Sequence, residues 1–418
     1  MYKFAHFSDV HVGAFRHPVL QNLVLQAFKQ ALDICIKRRV DFIIFSGDLF
    51  DSNLPDMGIA NEAVKKLREA RDNGIDIYVV YGSHDFSPTQ TSVVDILESA
   101  GLFEKVTKGK VVEGKLRLDY HINKKTGAKI VGIHGRKSGI EREYFDILDR
   151  EGLEKEPGFK IFVFHGAVTE YKPATLAAAE SIPVSSLPRE FDYYAAGHIH
   201  ERYEGKLPGY EHILYSGILF AADYRDLEQS ALGMERGFFI VSFDDNVRDI
   251  EFVKIPVCEY AFIQYDATGK NASKVQEDLF EDAKKFDADG KLVLLKVKGD
   301  MSGGKTSDID FAAIRRLIED KGALHVTVNH FGLTSKEYAD IKIAGQDVHE
   351  VEARLFEESI GAVKVTQPKL KGKCGVQLSI ELLKVLRQEQ KVNELKKDYE
   401  ARVVRSGLET LQLVEAIE

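Results

Sequence analysis

Five short segments carry the residue types of metal-assisted hydrolysis. They are Ser8-Asp9-Val10-His11, Gly47-Asp48-Leu49-Phe50-Asp51, Gly82-Ser83-His84-Asp85, His165-Gly166 and Gly197-His198-Ile199-His200. In an extended segment, residues two apart point to one side, so Asp9 with His11 can clasp one ion, and so can His198 with His200. Mixed carboxylate and imidazole donors suit manganese, iron or zinc. Two such ions about 3.5–4 Å apart activate water near neutral pH and neutralise a phosphoryl group under attack. One histidine at the end of a strand is usually an ordinary, satisfied polar group. Five Asp/His segments in equivalent positions are a site.

What makes the positions equivalent is the run before each segment. KFAHF, DFIIF, IYVVY, KIFVF and YYAA are short apolar stretches of strand character. Helical patterns at Val19–Lys37 and Ala60–Arg71 alternate with them, which is the rhythm of an α/β sheet covered by helices. Ligands in such sheets collect beyond the carboxyl ends of the strands, so the five loops should converge on one edge. From Phe103 to Val131 the pattern changes to short, glycine-punctuated strands. Strand-like runs follow at 212–220 and 237–243. A boundary is expected near Asp249. After it come a strand pair (253–265), a helix (Ser273–Phe286), a strand (Lys291–Lys298), a helix (Asp308–Asp320) and a strand (Ala323–Val328). Beyond Thr334 two helical stripes are expected, one ending at Gly361 and one running from Leu378 to Gly407. The expected domains are residues 1–248, 249–334 and 335–418.

Composition sets the class. The 418 residues carry a formal charge of −9, with 44% hydrophobic and 29% charged residues. That is ordinary globular material, which excludes dominant disorder and argues against a bulk cationic coat for nucleic acid. No apolar run approaches the roughly 20 residues of a membrane span. The N-terminus does not read as a signal peptide, and Cys35, Cys258 and Cys374 are too scattered for a disulfide framework or zinc finger. A soluble, cytoplasmic protein is expected.

The phrases HFSDVHVG, GDLFD, GSHDFSP, VFHGAV and AAGHIHER resemble, segment by segment, the calcineurin-like metallophosphoesterase superfamily, and within it the double-strand-break-repair nucleases of the Mre11/SbcD family. The resemblance implies a four-layer α/β sandwich, a small α+β capping domain and C-terminal helices that bind an ATPase. It implies that Asp9, His11, Asp48 and His200 hold one metal. Asp48 bridges to a second, held also by Ser83, His165 and His198, and His84 protonates the leaving oxygen. Serine stands at position 83 where the family usually has asparagine, a weaker donor set for the second ion. At Asp51 the chain follows bacterial relatives, where eukaryal ones tend to have histidine. The implied cofactor is a pair of divalent ions, manganese by resemblance. The implied activity is a 3'-5' exonuclease and endonuclease acting on DNA ends, as a homodimer through helices near 58–72 and 90–101, with a Rad50-type ABC ATPase as partner.

Two other readings use the same residues: a phosphoesterase of small phosphodiesters or phosphoproteins, and a DNA-end-binding scaffold whose site is weakened at Ser83. Backbone contacts to DNA are expected from the lysine-rich stretch Gly101–Lys137, with Lys108, Lys110, Arg136 and Lys137 as candidates, and from a second basic stretch at Gly361–Arg387. Residues 299–306, GDMSGGKT, satisfy a P-loop pattern, but Lys296 and Lys298 in the preceding run mark a half-exposed strand rather than the buried parallel strand of a nucleotide-binding core.

Overall fold

The structure is a computed structural model that describes residues 1–85, 92–135, 141–173, 176, 180–335, 352–353, 355–357, 360, 370–391 and 396–411. Along the chain, β1 (Tyr2–Phe7), α1 (Pro18–Arg38), β2 (Phe42–Ser46), α2 (Met57–Asp72), β3 (Asp76–Val80), α3 (Val93–Ser99) and β4 (Glu104–Lys105) repeat the alternation read from the apolar runs. A surface hairpin of β5 (Gly109–Val112) and β6 (Lys115–Leu118) follows, then β7 (His121–Ile122), β8 (Lys129–Ile133), α4 (Glu141–Asp146), α5 (Arg150–Glu154) and β9 (Lys160–His165). The body continues through β10 (Tyr193–Gly197), β11 (Tyr203–Leu207), β12 (Tyr210–Tyr215), α6 (Tyr224–Ala231), β13 (Gly237–Phe243) and β14 (Val247–Lys254).

These strands form two six-stranded sheets, ordered β14-β13-β1-β2-β3-β4 and β11-β12-β10-β9-β8-β7. In the first, β1, β2, β3 and β4 run parallel, and β13 and β14 are added antiparallel. In the second, β8, β9, β10 and β12 are parallel, with β7 and β11 antiparallel at the edges. Alternation along the strands makes the layers. In β2, Phe42 and Ile44 face the second sheet, where they meet Ile161, Val163 and Tyr193, while Ile43 and Phe45 face α1 and α2. Phe162 and Phe164 of β9 turn the other way, toward Phe145 and Leu148. Because both faces are covered, the central strands read as continuous apolar runs. The result is helix, sheet, sheet, helix. The run 212–220 is strand only to Tyr215. Asp249, where the first domain was expected to end, lies inside β14, which pairs with β13 from Gly237–Lys254 to Phe243–Val247, so the sheet continues past it.

Next come β15 (Glu259–Asp266), α7 (Ala272–Lys285), β16 (Lys291–Met301), α8 (Phe311–Glu319) and β17 (His325–Ser335), with the sheet order β15-β16-β17. The chain separates into two compact units, one of residues 1–268, 272–299 and 307–333 and the other of 269–271, 300–306 and 334–418. The P-loop-like residues do not form a phosphate cradle of strand, loop and helix. Gly299 to Met301 are still strand, one 3-10 turn at Thr306–Asp308 follows, and the next α-helix, α8, starts only at Phe311, where Asp310 accepts from Ala313 N at 2.8 Å.

In the second unit, α9 (Gly372–Leu386) and α10 (Lys396–Leu411) pack on each other. The stripe expected to end at Gly407 is thus two helices, and α10 runs through Gly407 to Leu411. A Cβ at Gly407 would meet Leu382 Cδ1 at 3.8 Å, an ordinary contact, so Gly407 lies within the helix and is neither a cap nor a forced close approach. Of the stripe expected before Gly361, the described residues 352, 353, 355–357 and 360 are helical. No helix among the described residues is long and apolar enough to cross a membrane.

Candidate metal centre

The loops after β1 and β2 are bound to each other, and that union places the first ligands. His11 N donates to Asp48 O at 2.9 Å, Val12 N to Leu49 O at 2.9 Å and Asp51 N to Val12 O at 3.1 Å. Asp9, His11, Asp48 and His198 all hold positive φ, at 51°, 50°, 50° and 91°. These are four of the nine non-glycine residues in that region among the described residues, and such strain persists where surrounding bonds over-determine it. Gly82 leaves the room Asp48 needs: a Cβ there would lie 2.1 Å from Asp48 Oδ1.

Donor atoms converge in three overlapping groups, Asp9–His11–His200, His11–Asp48–His84 and Asp9–Asp48–His165, each within 4.8 Å. Asp9, His11, Asp48 and His165 are almost wholly buried. The histidines are held by their far nitrogens. His11 Nδ1 lies 3.1 Å from Asp51 Oδ1, His165 Nδ1 2.8 Å from Ser46 O, and His200 Nδ1 3.0 Å from both oxygens of Asp226. Each Nε2 then faces a carboxylate: His11 to Asp48 at 3.8 Å, His165 to Asp48 at 3.2 Å and His200 to Asp9 at 3.9 Å. The Nε2 atoms of His11 and His165 are buried with no hydrogen-bond partner. Orphaned imidazole nitrogens beside carboxylates, with their opposite nitrogens anchored, are the donor set a divalent cation fits.

The other expected residues are also here. His198 contributes its backbone N to Asp9 at 3.0 Å, and its ring lies 5.2 Å from that of His165, although its side chain is in none of the three groups. Ser83 Oγ donates to Asp48 Oδ2 at 3.4 Å and His84 N to Asp48 Oδ1 at 2.8 Å. His84 Nδ1 pairs with Asp51 O at 2.7 Å, and the half-exposed ring lines a cleft of about 170 Å³ with Asp48, Ser83, His198, His200, Arg225 and Gln229. Lys108 and Lys110 are exposed at the β5–β6 hairpin, outside this cleft. Arg136 and Lys137 lie outside the described residues. The basic stretch around them is partly neutralised, since Lys105, Arg117, Lys125 and Lys129 pair with Asp95, Asp149, Asp41 and Glu156.

Electrostatics follow from the buried carboxylates. Burial disfavours a charged His165, but the charges of Asp48 and Asp9 outweigh it and lift its pKa to about 10. For His11, burial is again opposed, here by the Asp51 hydrogen bond and the Asp48 and Asp9 charges, and the value rises to about 9. Asp48 is also penalised by burial, but His165 and His11 drive it well below the usual carboxylate range. His198 goes the other way, to about 4, through burial and the charge of His165. The centre thus holds negative charge that recruits protons, as it would recruit cations.

Sequence reasoning missed two supports. Asp226 carries no functional sign, because Asp223-x-x-Asp226 at the start of α6 reads as a capping box, which it also is. His6, inside β1, carries no functional sign in its spacing either. It lies behind the centre, with Nδ1 2.9 Å from Tyr193 Oη and Nε2 2.8 Å from Ser46 Oγ, on the residue whose carbonyl orients His165.

Two sheets lie between helix layers with Asp and His loops gathered at one edge, and residues 2–202 match the family described as calcineurin-like phosphoesterase. The chain is 26% identical over 409 residues to the DNA double-strand break repair protein Mre11 of Archaeoglobus fulgidus, spanning 94% of this chain and 82% of the relative. Its likeness to the protein of the same description from Sulfurisphaera tokodaii is 28% over 293 residues, 68% of this chain and 70% of the relative. For Thermoplasma acidophilum the figures are 27% over 308 residues, 71% and 77%. Residues 2–202 thus match the calcineurin-like phosphoesterase family, and the chain is similar over most of its length to proteins described as the DNA double-strand break repair protein Mre11.

Proposed function

We propose that this protein is a manganese-dependent nuclease that processes DNA ends in double-strand-break repair, by both 3'-5' exonuclease and endonuclease action. The observation that carries the reading is the pair of orphaned, buried Nε2 atoms of His11 and His165 on either side of Asp48. Asp9, His11, Asp48 and His200 would hold one ion, and Asp48, Ser83, His165 and His198 a second. When bound, the ions supply Lewis-acid stabilisation of the phosphoryl group and activation of water. The chain's own residues do the rest. Asp51 O fixes the His84 ring through Nδ1, which leaves Nε2 to carry a proton to the departing sugar oxygen. Asp51 and Ser46 orient His11 and His165, so the ligands need not reorganise as substrate enters. Lys108 and Lys110, with Arg136 and Lys137, would position the DNA backbone.

The homodimer surface is supported by exposed apolar residues at these helices: Leu54 in the loop before α2, Met57 at its first residue and Ile96 in α3 are 71%, 63% and 59% exposed, and Asn53 O accepts from Val93 N at the start of α3. The α9–α10 pair is the proposed docking element for a Rad50-type ABC ATPase. The domain plan proposed is a nuclease body, a cap built on β15, β16 and β17, and this helical segment.

Manganese-dependent digestion of linear duplex DNA, run beside a small chromogenic phosphodiester, tests the reading. Digestion of DNA supports it. Turnover of the small ester alone indicates a small-substrate phosphoesterase, and DNA binding without cleavage a scaffold. His84→Ala should keep manganese binding and lose cleavage, and cleavage at the parental rate would remove His84 from the acid role.

A further inference from the structure

His200 is held at two places, and both holds run through one buried acid. Its Nδ1 lies 3.0 Å from Asp226 Oδ1 and 3.0 Å from Oδ2, a symmetric grip by both carboxylate oxygens. Its carbonyl accepts from Arg236 Nη1 at 2.6 Å. Arg236 in turn donates through Nη2 to Asp226 O at 2.9 Å and Gln229 Oε1 at 3.1 Å, and through Nε to Ser230 Oγ at 2.9 Å. Ring and backbone of His200 are therefore tied to the same short helix, α6.

A helix cap does not need this arrangement. Asp223 supplies the exposed half of the capping box, accepting from Asp226 N at 3.0 Å, and a surface acid suffices for such work. Asp226 is instead almost wholly buried, with a side chain only 3% exposed, and Arg236 is buried beside it. Taking a carboxylate and a guanidinium out of water costs several kcal/mol per ion unless both are fully bonded. Asp226 Oδ2 also accepts from Ala222 N at 2.9 Å and Asp223 N at 3.4 Å, so one buried acid ties the His200 ring to the start of α6. With Asp226 accepting at Nδ1, the ring's proton is fixed there, and Nε2 presents its lone pair toward Asp9 Oδ1, 3.9 Å away and too far for a hydrogen bond. The same construction occurs once more in the centre, where Asp51 holds His11 and Nε2 faces Asp48.

We propose that Asp226 is a positioning residue of the metal centre, which locks His200 in the Nδ1–H tautomer and orientation that offers Nε2 to a divalent cation. Arg236 is its clamp: it fixes the helix that carries Asp226 and the backbone that carries His200. The role rests on the reading of Asp9, His11 and His200 as metal ligands.

The test is manganese binding by the full chain, measured by equilibrium dialysis, with nitrogen NMR of the histidine rings in the metal-free protein. Asp226→Asn keeps an acceptor for the helix cap but loses the charge and the symmetric grip. It should bind manganese roughly 10–100-fold more weakly, as loss of an outer partner does, and His200 should become a mixture of tautomers. Lys296→Ala removes the ion pair that α6 makes through Glu228 and touches neither Arg236 nor the His200 ring. It should lower the melting temperature and leave the manganese affinity within about twofold. Asp226→Asn with parental affinity and a single His200 tautomer overturns the proposal, and so does Lys296→Ala weakening manganese as much as Asp226→Asn. His200→Ala separates the two levels of argument. If it binds manganese like the parent, the metal centre itself is wrong; if it loses manganese while Asp226→Asn does not, only the positioning role is.

Discussion

Asp48 and His165 meet at 3.2 Å between Oδ2 and Nε2, yet the imidazole nitrogen is left without a hydrogen bond while its other nitrogen is bonded to Ser46 O. Without metal, protons on His11 and His165 balance the buried Asp48 charge, and a bound cation would take their place. Manganese should therefore stabilise the folded chain by mass action, about 2.7 kcal/mol at 100 times the dissociation constant. Asp48→Asn removes the charge shared by all the facing histidines. Its melting temperature should not respond to manganese, and its phosphodiesterase activity should fall by more than the roughly 10–100-fold that loss of an outer partner costs. A thermal scan with and without the ion decides it. An equal upward shift in both proteins would place the metal elsewhere.

Gly82 serves Asp48 by having no side chain. A Cβ would sit 2.1 Å from Asp48 Oδ1 and 2.3 Å from Asp48 N, contacts that only a backbone shift can relieve. Gly82→Ala should cost about 1–3 kcal/mol or more in urea unfolding, the range of overpacked sites, and should abolish manganese binding. Gly74→Ala is the comparison. Its φ of +77° is strained for alanine, but nothing lies within 4 Å of the added carbon. It should cost about 1–2 kcal/mol from the backbone alone and leave manganese binding intact.

Much of this site was legible because each of its loops follows a strand that announces itself. FIIF and IFVF are apolar throughout, since both faces of each sheet are covered, and the proposed ligands Asp48 and His165 follow within three residues of their ends. What stayed hidden depends on tertiary structure. VRDIEFVK alternates like any half-exposed strand, so nothing local tells that β14 completes the first sheet rather than opening a new domain. The break between α9 and α10 has no glycine or proline at 387–391. It is held from outside, with Tyr399 Oη donating to Gln388 O at 2.9 Å and Arg402 Nη2 to Glu389 O at 3.1 Å. Asp226 and His6 act through other residues, and a one-dimensional pattern does not display a second layer of bonding.

His6 makes the fold acid-sensitive. Burial lowers its pKa from 6.5 to about 3, against a smaller opposing contribution from the Ala196 backbone. Ser46 Oγ donates to Ala195 O, so it accepts from His6 Nε2, and the ring is held neutral. With the folded value below the unfolded one, the unfolded chain binds more protons between these limits. The contribution is complete above about pH 6.5 and is lost as pH falls toward 3. The slope reaches about 1.4 kcal/mol per pH unit. In urea unfolding between pH 7 and 4, His6→Gln should start less stable and lose less on acidification. An acid slope identical to the parent's would assign the sensitivity to other groups.

The proposed ATPase contact can be tested without disturbing the centre. Leu386 at the end of α9 and Val404 in α10 are 57% and 60% exposed, large apolar side chains on a helix pair that belongs to a different compact unit from the proposed metal ligands. Exposed substitutions away from special features change stability by no more than about 0.5 kcal/mol, so Leu386→Asp and Val404→Asp should fold and cleave a small phosphodiester at close to the parental rate. Burying an unpaired carboxylate at an interface costs several kcal/mol, equivalent to a loss of about 100-fold or more in affinity. In size-exclusion chromatography the parent should elute with a Rad50-type ATPase, and the double variant should elute apart from it. Co-elution of the double variant, with its esterase activity intact, would move the contact off this face of α9 and α10.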